Sequence, residues 1–302
     1  VHHHHAHPRA RGGDADGGYL ERSFATYVAA GAERRSPVVR LDFGTGAQAA
    51  IERYCQANGI TRRLTEKMTP ELYERFRQSV LIYYGGSAKE KLEFLDQLPR
   101  PALVHFADYV KGGFDKEYPD HLPPNPSFGT AEELQEVFDR AHALGHLVMP
   151  YTNPTWWCDH PRGPTFERDG EAPLLHQLDG KLSYERYGAN DGYTVCHWDA
   201  AVQAANRETR RQFTEDYPVD VLFEDQCGAR SWRYDTNPAS PTPYAYVDGL
   251  VSMVNEDSRS VPLSTEAGWD RVAQYESQLC GMSWGLVPTE GGPDWIQLMK
   301  YQ

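Results

Sequence analysis

The sequence predicts an α/β fold, a (β/α)8 barrel of the TIM type represented by about six of its strand–helix units. Three observations predict it. Short apolar runs alternate with longer helical stretches along most of the chain. The apolar runs are nearly continuous, as strands buried on both faces must be. Polar and aromatic residues collect just after the strand ends, where such barrels place their working groups. An open doubly wound sheet is the competing architecture. No glycine-rich phosphate loop follows the first strand, which counts against a dinucleotide-binding sheet.

The elements follow in order. Residues 1–18 are rich in His, Arg, Gly and Asp and offer almost nothing to bury, so they read as a disordered tail. His2, His3, His4, His5 and His7 belong to that tail. Residues 19–61 form a lead-in. In it Val38–Phe43 reads as a strand, and a helix runs from Ala47 to Asn58 with Gly59 as its stop. The main unit spans 62–302 and begins with the helix start Thr69-Pro70-Glu71. Strands are expected at Ser79–Tyr84, Ala102–Tyr109, His146–Tyr151, Val219–Asp225, Val261–Glu266 and Gly285–Pro288. The expected helices are Ala88–Gln97, Ala131–Leu144, Ala200–Glu215, Tyr244–Asn255, Asp270–Gln278 and one beginning near Pro293. The helix at 131–144 carries the clearest stripe, Leu134, Val137, Phe138, Ala141 and Leu144, behind a Thr130/Glu133 capping box.

Composition narrows the function. With 30 basic against 43 acidic side chains, the formal net charge is −13, which argues against nucleic acid as the main partner. No apolar run reaches membrane-spanning length, and no signal-type apolar stretch opens the chain. The compartment and the oligomeric state are not readable. Five scattered cysteines include no CxxC pair, so they read as free thiols and not as a zinc site or a disulfide framework. No Gly-x-Ser-x-Gly elbow points to a serine hydrolase.

Two strand ends carry the chemistry. Val219-Asp220-Val221-Leu222-Phe223 runs into Glu224-Asp225, placing carboxylates at the mouth of a parallel barrel. Side chains alternate along a strand, so only one of the two points into the mouth. Asp225 shares parity with Val221 and Phe223 and is the better candidate. The other reading is that both carboxylates pair with Arg230 or Arg233. The next strand ends in Ser264-Thr265-Glu266, followed by Trp269. Carboxyl groups on neighbouring strands roughly 5–5.5 Å apart can serve as nucleophile and acid/base in glycoside hydrolysis. Gln226 and Arg230 are candidate partners of the nucleophile, and Trp269 is a candidate apolar wall for the acid.

Other candidates for sugar binding lie at the remaining strand ends: Asp108, Tyr151, Asn153, Trp156, Trp157, His197 and Trp198. The stretch of roughly fifty residues after the third strand is too long for a simple connector. Its Trp156-Trp157 pair suggests a sugar-stacking wall, or equally an anchor for the loop. His105 with Asp108, and His197 with Asp199, lack the two-His helical spacing of a zincin, so no metal is assigned.

The run Phe223-Glu224-Asp225-Gln226-Cys227-Gly228 resembles the nucleophile strand of retaining α-glycosidase barrels. Within these it is most similar to endo-α-N-acetylgalactosaminidases and related uncharacterised bacterial proteins. Thr265-Glu266-Ala267-Gly268 matches the acid/base setting of that family, and Phe114–Pro126 and Leu147–Trp157 are also similar. The resemblance covers 37–302. It implies Asp225 as nucleophile, Glu266 as acid/base, a carbohydrate substrate and no cofactor. It also implies a preceding β-sandwich ending at Val38–Phe43, with two barrel strands outside the chain. Glu224 stands where the family has an apolar residue, and Gln226-Cys227 replaces an aliphatic–aromatic pair, which leaves the sugar open. Two rival functions remain: a carbohydrate-binding barrel without catalysis, and a metal-dependent hydrolase built on His105, Asp108 and His197.

Overall fold

The computed structural model describes residues 9–11, 19–21, 28, 30–33, 35, 43–44, 46–268 and 270–280. The strands are β1 (Arg9–Arg11), β2 (Tyr19–Glu21), β3 (Val80–Tyr83), β4 (Ala102–Phe106), β5 (Leu147–Thr152), β6 (Trp156–Cys158), β7 (Tyr184–Tyr187), β8 (Asn190–Thr194), β9 (Leu222–Glu224), β10 (Leu263–Glu266) and β11 (Glu276–Cys280). The helices are α1 (Ala47–Ala57), α2 (Pro70–Gln78), α3 (Ala88–Leu95), α4 (Ala131–Ala143), α5 (Pro164–Asp169), α6 (Ala200–Arg211), α7 (Tyr246–Asp257) and α8 (Asp270–Ala273). Among the described residues no helix is long and apolar enough to cross a membrane.

Six strands form one parallel sheet in the order β3-β4-β5-β9-β10-β11, each beside its neighbour in barrel sequence. Helices separate them, so the sheet with its helices is a curled part of an α/β barrel. The central strands β4, β5 and β9 are buried because both faces are covered, β5 at every position, whereas the edge strand β3 is largely exposed. One face of each strand meets the helices. Phe106 of β4 packs on Phe138 of α4 with ring centroids 5.2 Å apart. The α4 stripe Leu134, Val137, Phe138 and Ala141 is buried there. The capping box at its start is formed, with Glu133 N–H donating to Thr130 Oγ1 at 3.2 Å and Thr130 N–H to Glu133 Oε2 at 2.7 Å. The other face lines the barrel interior. There His105, Tyr151 and Phe223 contact one another, with Tyr151 and Phe223 stacked at 5.7 Å.

Four expectations change. The sixth strand is Glu276–Cys280, and the helix expected over Asp270–Gln278 shrinks to a single turn. Glu and Gln disguise this strand: Glu276 is buried on the helix side, while Gln278 accepts from Ser264 Oγ at 3.2 Å on the inner side. A bulge opposite Leu263/Ser264 accommodates the extra residue. The stretch after β5 is not a loop but a small unit of its own, the antiparallel sheet β6-β8-β7 with α5. Its apolar cluster is Trp157, Phe166, Leu174, Val195 and Val202. Arg9–Arg11, expected in a disordered tail, pairs antiparallel with Tyr19–Glu21. The end of α6 widens into a π-helical turn over Gln212–Asp216. Val38–Asp42, Trp269, Gly285–Pro288 and the segment from Pro293 lie outside the described residues.

Candidate active site

Register builds the site. Tyr151 is level with Phe223, and Thr152 with Glu224. Leu263 is level with Leu222, and Ser264 with Phe223. One more step along β5 and β9, and two along β10, brings Asn153, Asp225 and Glu266 into one row at the C-terminal mouth. The three share the inward face with Tyr151, Phe223 and Ser264. Neighbouring strands lie about 4.8 Å apart. The row is continuous at the backbone, where Asp225 N–H donates to Thr152 O at 2.8 Å.

Glu224 faces the other way. It is 1% exposed, on the helix side, among the carboxyls of Asp257 and Glu276. Burial first, then those negative neighbours, push its carboxyl well above the usual carboxylate range. Asp257 is held by Arg210 Nη1 and by Asn206 Nδ2 at 2.6 Å. Lys67 Nζ donates to the Ala273 and Glu276 carbonyls at 2.6 Å, and burial lowers its ammonium to about 8. The alternation of the strand thus separates adjacent acids into two environments.

Asp225 is held by donors from β5 and just beyond it. Tyr151 Oη donates to its Oδ2 at 2.8 Å, and Asn153 Nδ2 approaches the same oxygen at 3.4 Å. Burial pushes the carboxyl up to about 7. The Tyr151 hydrogen bond pulls down, Glu266 and Asp115 push up, and Arg230 pulls down. Cys280, at the end of β11, senses the same mouth: burial, Asp225 and Glu266 push its thiol to about 11.

The chain kinks sharply after each acid. Gln226 and Ala267 have φ of 65° and 58°, left-handed values uncommon for residues with a side chain. Gly228 fills the space between the two kinks. Its N–H donates to Thr265 Oγ1 at 2.8 Å, and the same hydroxyl donates to Glu224 O at 2.8 Å.

Gln226 and Arg230, expected to serve the nucleophile directly, bond mainly to each other and to their surroundings. Arg230 is 4% exposed and donates to Gln226 Oε1, to Thr155 Oγ1 at 3.0 Å and to Glu185 Oε2 at 2.6 Å. It ties the β7 strand to the mouth and reaches Asp225 only through its charge. The sugar-stacking wall of Trp156 and Trp157 is corrected: both are buried. Trp156 packs edge-on to Tyr118 and Tyr187, and Trp157 against Phe166. They anchor the small sheet because their side chains are the largest apolar groups available to it. Trp198 is likewise structural, donating from Nε1 to Ala245 O at 2.8 Å and packing on Gly249 of α7.

His197 is buried with neither ring nitrogen partnered, and burial with the Arg230 charge lowers it to about 3. His105 has its Nδ1 3.2 Å from Met149 O, and burial lowers it to about 4. Asp108 pairs with the buried Lys91 at 3.0 Å. His105 and Asp108 keep separate partners and His197 has none, and among the described residues no group of His, Cys, Asp or Glu is arranged to hold a metal ion.

Two groups at the mouth are not singled out by the sequence. Asp115 has φ of 56°, and its N–H donates to Tyr118 Oη at 2.9 Å. Phe114 beside it is 50% exposed, with its ring 4.8 Å from that of Tyr151. Tyr187, 38% exposed, stands on the other flank against Trp156 and donates from Oη to Glu185 Oε2 at 3.0 Å. They lie in a loop and on a short, largely exposed strand, where no hydrophobic period marks them.

Residues 46–242 match the family model described as a domain of unknown function, DUF6259. The sequence matches no curated protein. Among solved structures the chain is similar to the α-N-acetylgalactosaminidase of Bifidobacterium bifidum in its GalNAc complex. The TM-score is 0.69 and the identity 13%, over 81% of this chain and 44% of that one. It is also similar to a GH36 α-galactosidase of Geobacillus stearothermophilus in complex with 1-deoxygalactonojirimycin. Here the TM-score is 0.52 and the identity 12%, over 67% of this chain and 30% of that one. The chain therefore spans less than half the length of these enzymes, and the likeness is one of fold.

Proposed function

The chain belongs to the DUF6259 family, and from that premise we propose that it is a glycoside hydrolase of the retaining α-glycosidase type, with Asp225 as nucleophile and Glu266 as acid/base. The observation that carries the reading is the row at the barrel mouth: two carboxylates on neighbouring parallel strands, on one face, at the C-terminal ends. Adjacent-strand spacing of about 4.8 Å suits the retaining separation of roughly 5–5.5 Å better than the wider inverting one. The fold it shares with an α-N-acetylgalactosaminidase and an α-galactosidase supports an α-linked sugar or glycan as substrate.

In this reading Asp225 attacks the anomeric carbon while Glu266 gives its proton to the leaving glycosidic oxygen. A covalent glycosyl-enzyme forms at the Asp225 carboxylate. Glu266, now a base, takes a proton from water, which attacks the same carbon and releases Asp225. Tyr151 and Asn153 hold one oxygen of Asp225 and aim the other at the sugar. Phe114 and Tyr187 offer apolar surface on either flank for ring faces.

The test is hydrolysis of aryl α-glycosides and mucin-type glycopeptides by the chain and its variants. Asp225→Asn abolishes turnover of every substrate. Glu266→Gln abolishes it for poor leaving groups and spares the first step for dinitrophenyl glycosides, which need no acid. Glycan binding with no product from any substrate would instead mean a carbohydrate-binding barrel.

A further inference from the structure

Asn153 stands in the row at the mouth with its side chain and its N–H both committed. Its Oδ1 accepts from Thr155 N–H at 3.0 Å and from Thr155 Oγ1 at 2.9 Å. Those two bonds decide which end of the amide is which, and they turn Nδ2 toward Asp225 Oδ2, 3.4 Å away. The backbone N–H of Asn153 donates at 2.9 Å to Nε2 of His121. His121 comes from the stretch that also carries Phe114 and Asp115. It is 2% exposed, and its ring stacks on Tyr118 with centroids 4.8 Å apart and planes at 18°. Its carbonyl accepts from Lys111 N–H at 3.0 Å. The ring is therefore fixed by packing on one side and by its own backbone on the other.

A backbone N–H can only donate, so the nitrogen it meets must be bare. Nε2 of His121 is then the acceptor, and the ring proton sits on Nδ1. Nδ1 has no hydrogen-bond partner among the described residues, so the Asn153 N–H selects the tautomer. Burial lowers the imidazole to about 4, which keeps the ring neutral at neutral pH. A buried N–H deprived of its acceptor is costly, so the backbone of Asn153 moves if that acceptor is lost.

We propose that His121 is a positioning residue that acts through Asn153. Its neutral ring, bare at Nε2, anchors the Asn153 backbone, and the anchored amide is held against Asp225. Thr155 sets the orientation of that amide, and His121 sets its place. The consequence for a nucleophile rests on the glycosidase reading, whereas the hold of His121 on Asn153 does not.

The experiment has two NMR readings on the full chain. Nitrogen-labelled histidine reports the His121 tautomer, its signals assigned by their loss in His121→Gln. A proton on Nδ1 and a bare Nε2 are expected at neutral pH. A proton on Nε2 overturns the proposal, and this reading stands even if a variant fails to fold. Aspartate labelled at the carboxyl carbon then follows Asp225, assigned by loss in Asp225→Asn. His121→Phe keeps a ring to stack on Tyr118 but offers no acceptor, and His121→Gln restores an acceptor oxygen. The Asp225 midpoint is expected to rise by roughly half a pH unit in His121→Phe, as the amide donor moves off the carboxylate, and to return most of the way in His121→Gln. In the Asn153→Ala background His121→Phe is expected to shift it by less than half as much. An unchanged midpoint in His121→Phe overturns the proposal, and so does an equal shift with and without the Asn153 amide. Absence of hydrolysis with both readings as expected would count against the glycosidase reading alone.

Discussion

Gly228 and Glu266 approach so closely that a methyl group added to Gly228 would lie 2.6 Å from the Glu266 carbonyl oxygen and 2.7 Å from Thr265 Cγ2. Here the loop after one acid-bearing strand end rests on the backbone of the other. The separation of the two carboxylates is therefore set by a glycine that belongs to neither.

Gly228→Ala is expected to push these strand ends apart. The clash is with backbone, which yields poorly, so a stability loss of about 1–3 kcal/mol follows. A displacement near 1 Å between acid and nucleophile costs on the order of 100-fold in kcat. Urea unfolding and steady-state kinetics read both, and an unchanged kcat would mean that the gap is not set here.

In the proposed reaction Asp225 must be ionised to attack, and burial pushes its carboxyl up to about 7. The ionised fraction grows as pH rises, so kcat/KM is expected to increase with pH through about 7 and then level, until a second group intervenes. Tyr151→Phe removes the donor that favours the carboxylate and moves this limb to higher pH, with a fall of roughly 10–100-fold in kcat near neutrality. A pH–rate profile measures it directly.

Glu224 predicts a stability effect of opposite face and opposite sign. Its folded-state carboxyl is raised, so the folded protein keeps this proton to higher pH than the unfolded chain does. Its penalty is absent below the unfolded carboxylate range and grows as pH rises above it. Glu224→Gln keeps the shape and a hydrogen-bonding group without the charge. It is expected to stabilise the protein by about 1 kcal/mol or more at pH 8 and by little at pH 4. Tm measured at the two values decides it.

The two kinds of aromatic residue separate cleanly. Trp157→Ala empties the core of the small sheet and is expected to cost about 3–5 kcal/mol. Phe114→Ala touches an exposed ring and is expected to leave stability within about 0.5 kcal/mol while raising KM. Thermal melts and KM values on the two variants test the contrast.

Much of this was written plainly in the chain. The α4 stripe and its capping box are legible because a 3.6-residue period and a Thr/Glu pair have one common physical cause. The choice between Glu224 and Asp225 is legible because strand alternation is strict. The burial of Trp156 and Trp157 is not, since an aromatic beside a strand end packs inward or outward according to what the following sheet covers. Strand β11 is hidden because Glu276 and Gln278 carry no apolar alternation, and their burial depends on partners from β10 and α7. Asp115 is hidden because a left-handed loop residue leaves no period, and its place at the mouth comes from tertiary contacts such as the Tyr118 hydroxyl.

The most direct measurement is covalent trapping of the nucleophile. The chain is incubated with an epoxide or aziridine analogue of an α-glycoside, and the labelled peptide is sequenced by mass spectrometry. The account predicts one sugar adduct, carried by the Asp225 carboxylate and lost in Asp225→Asn. An adduct on any other residue, or undiminished hydrolysis by Asp225→Asn, would contradict it.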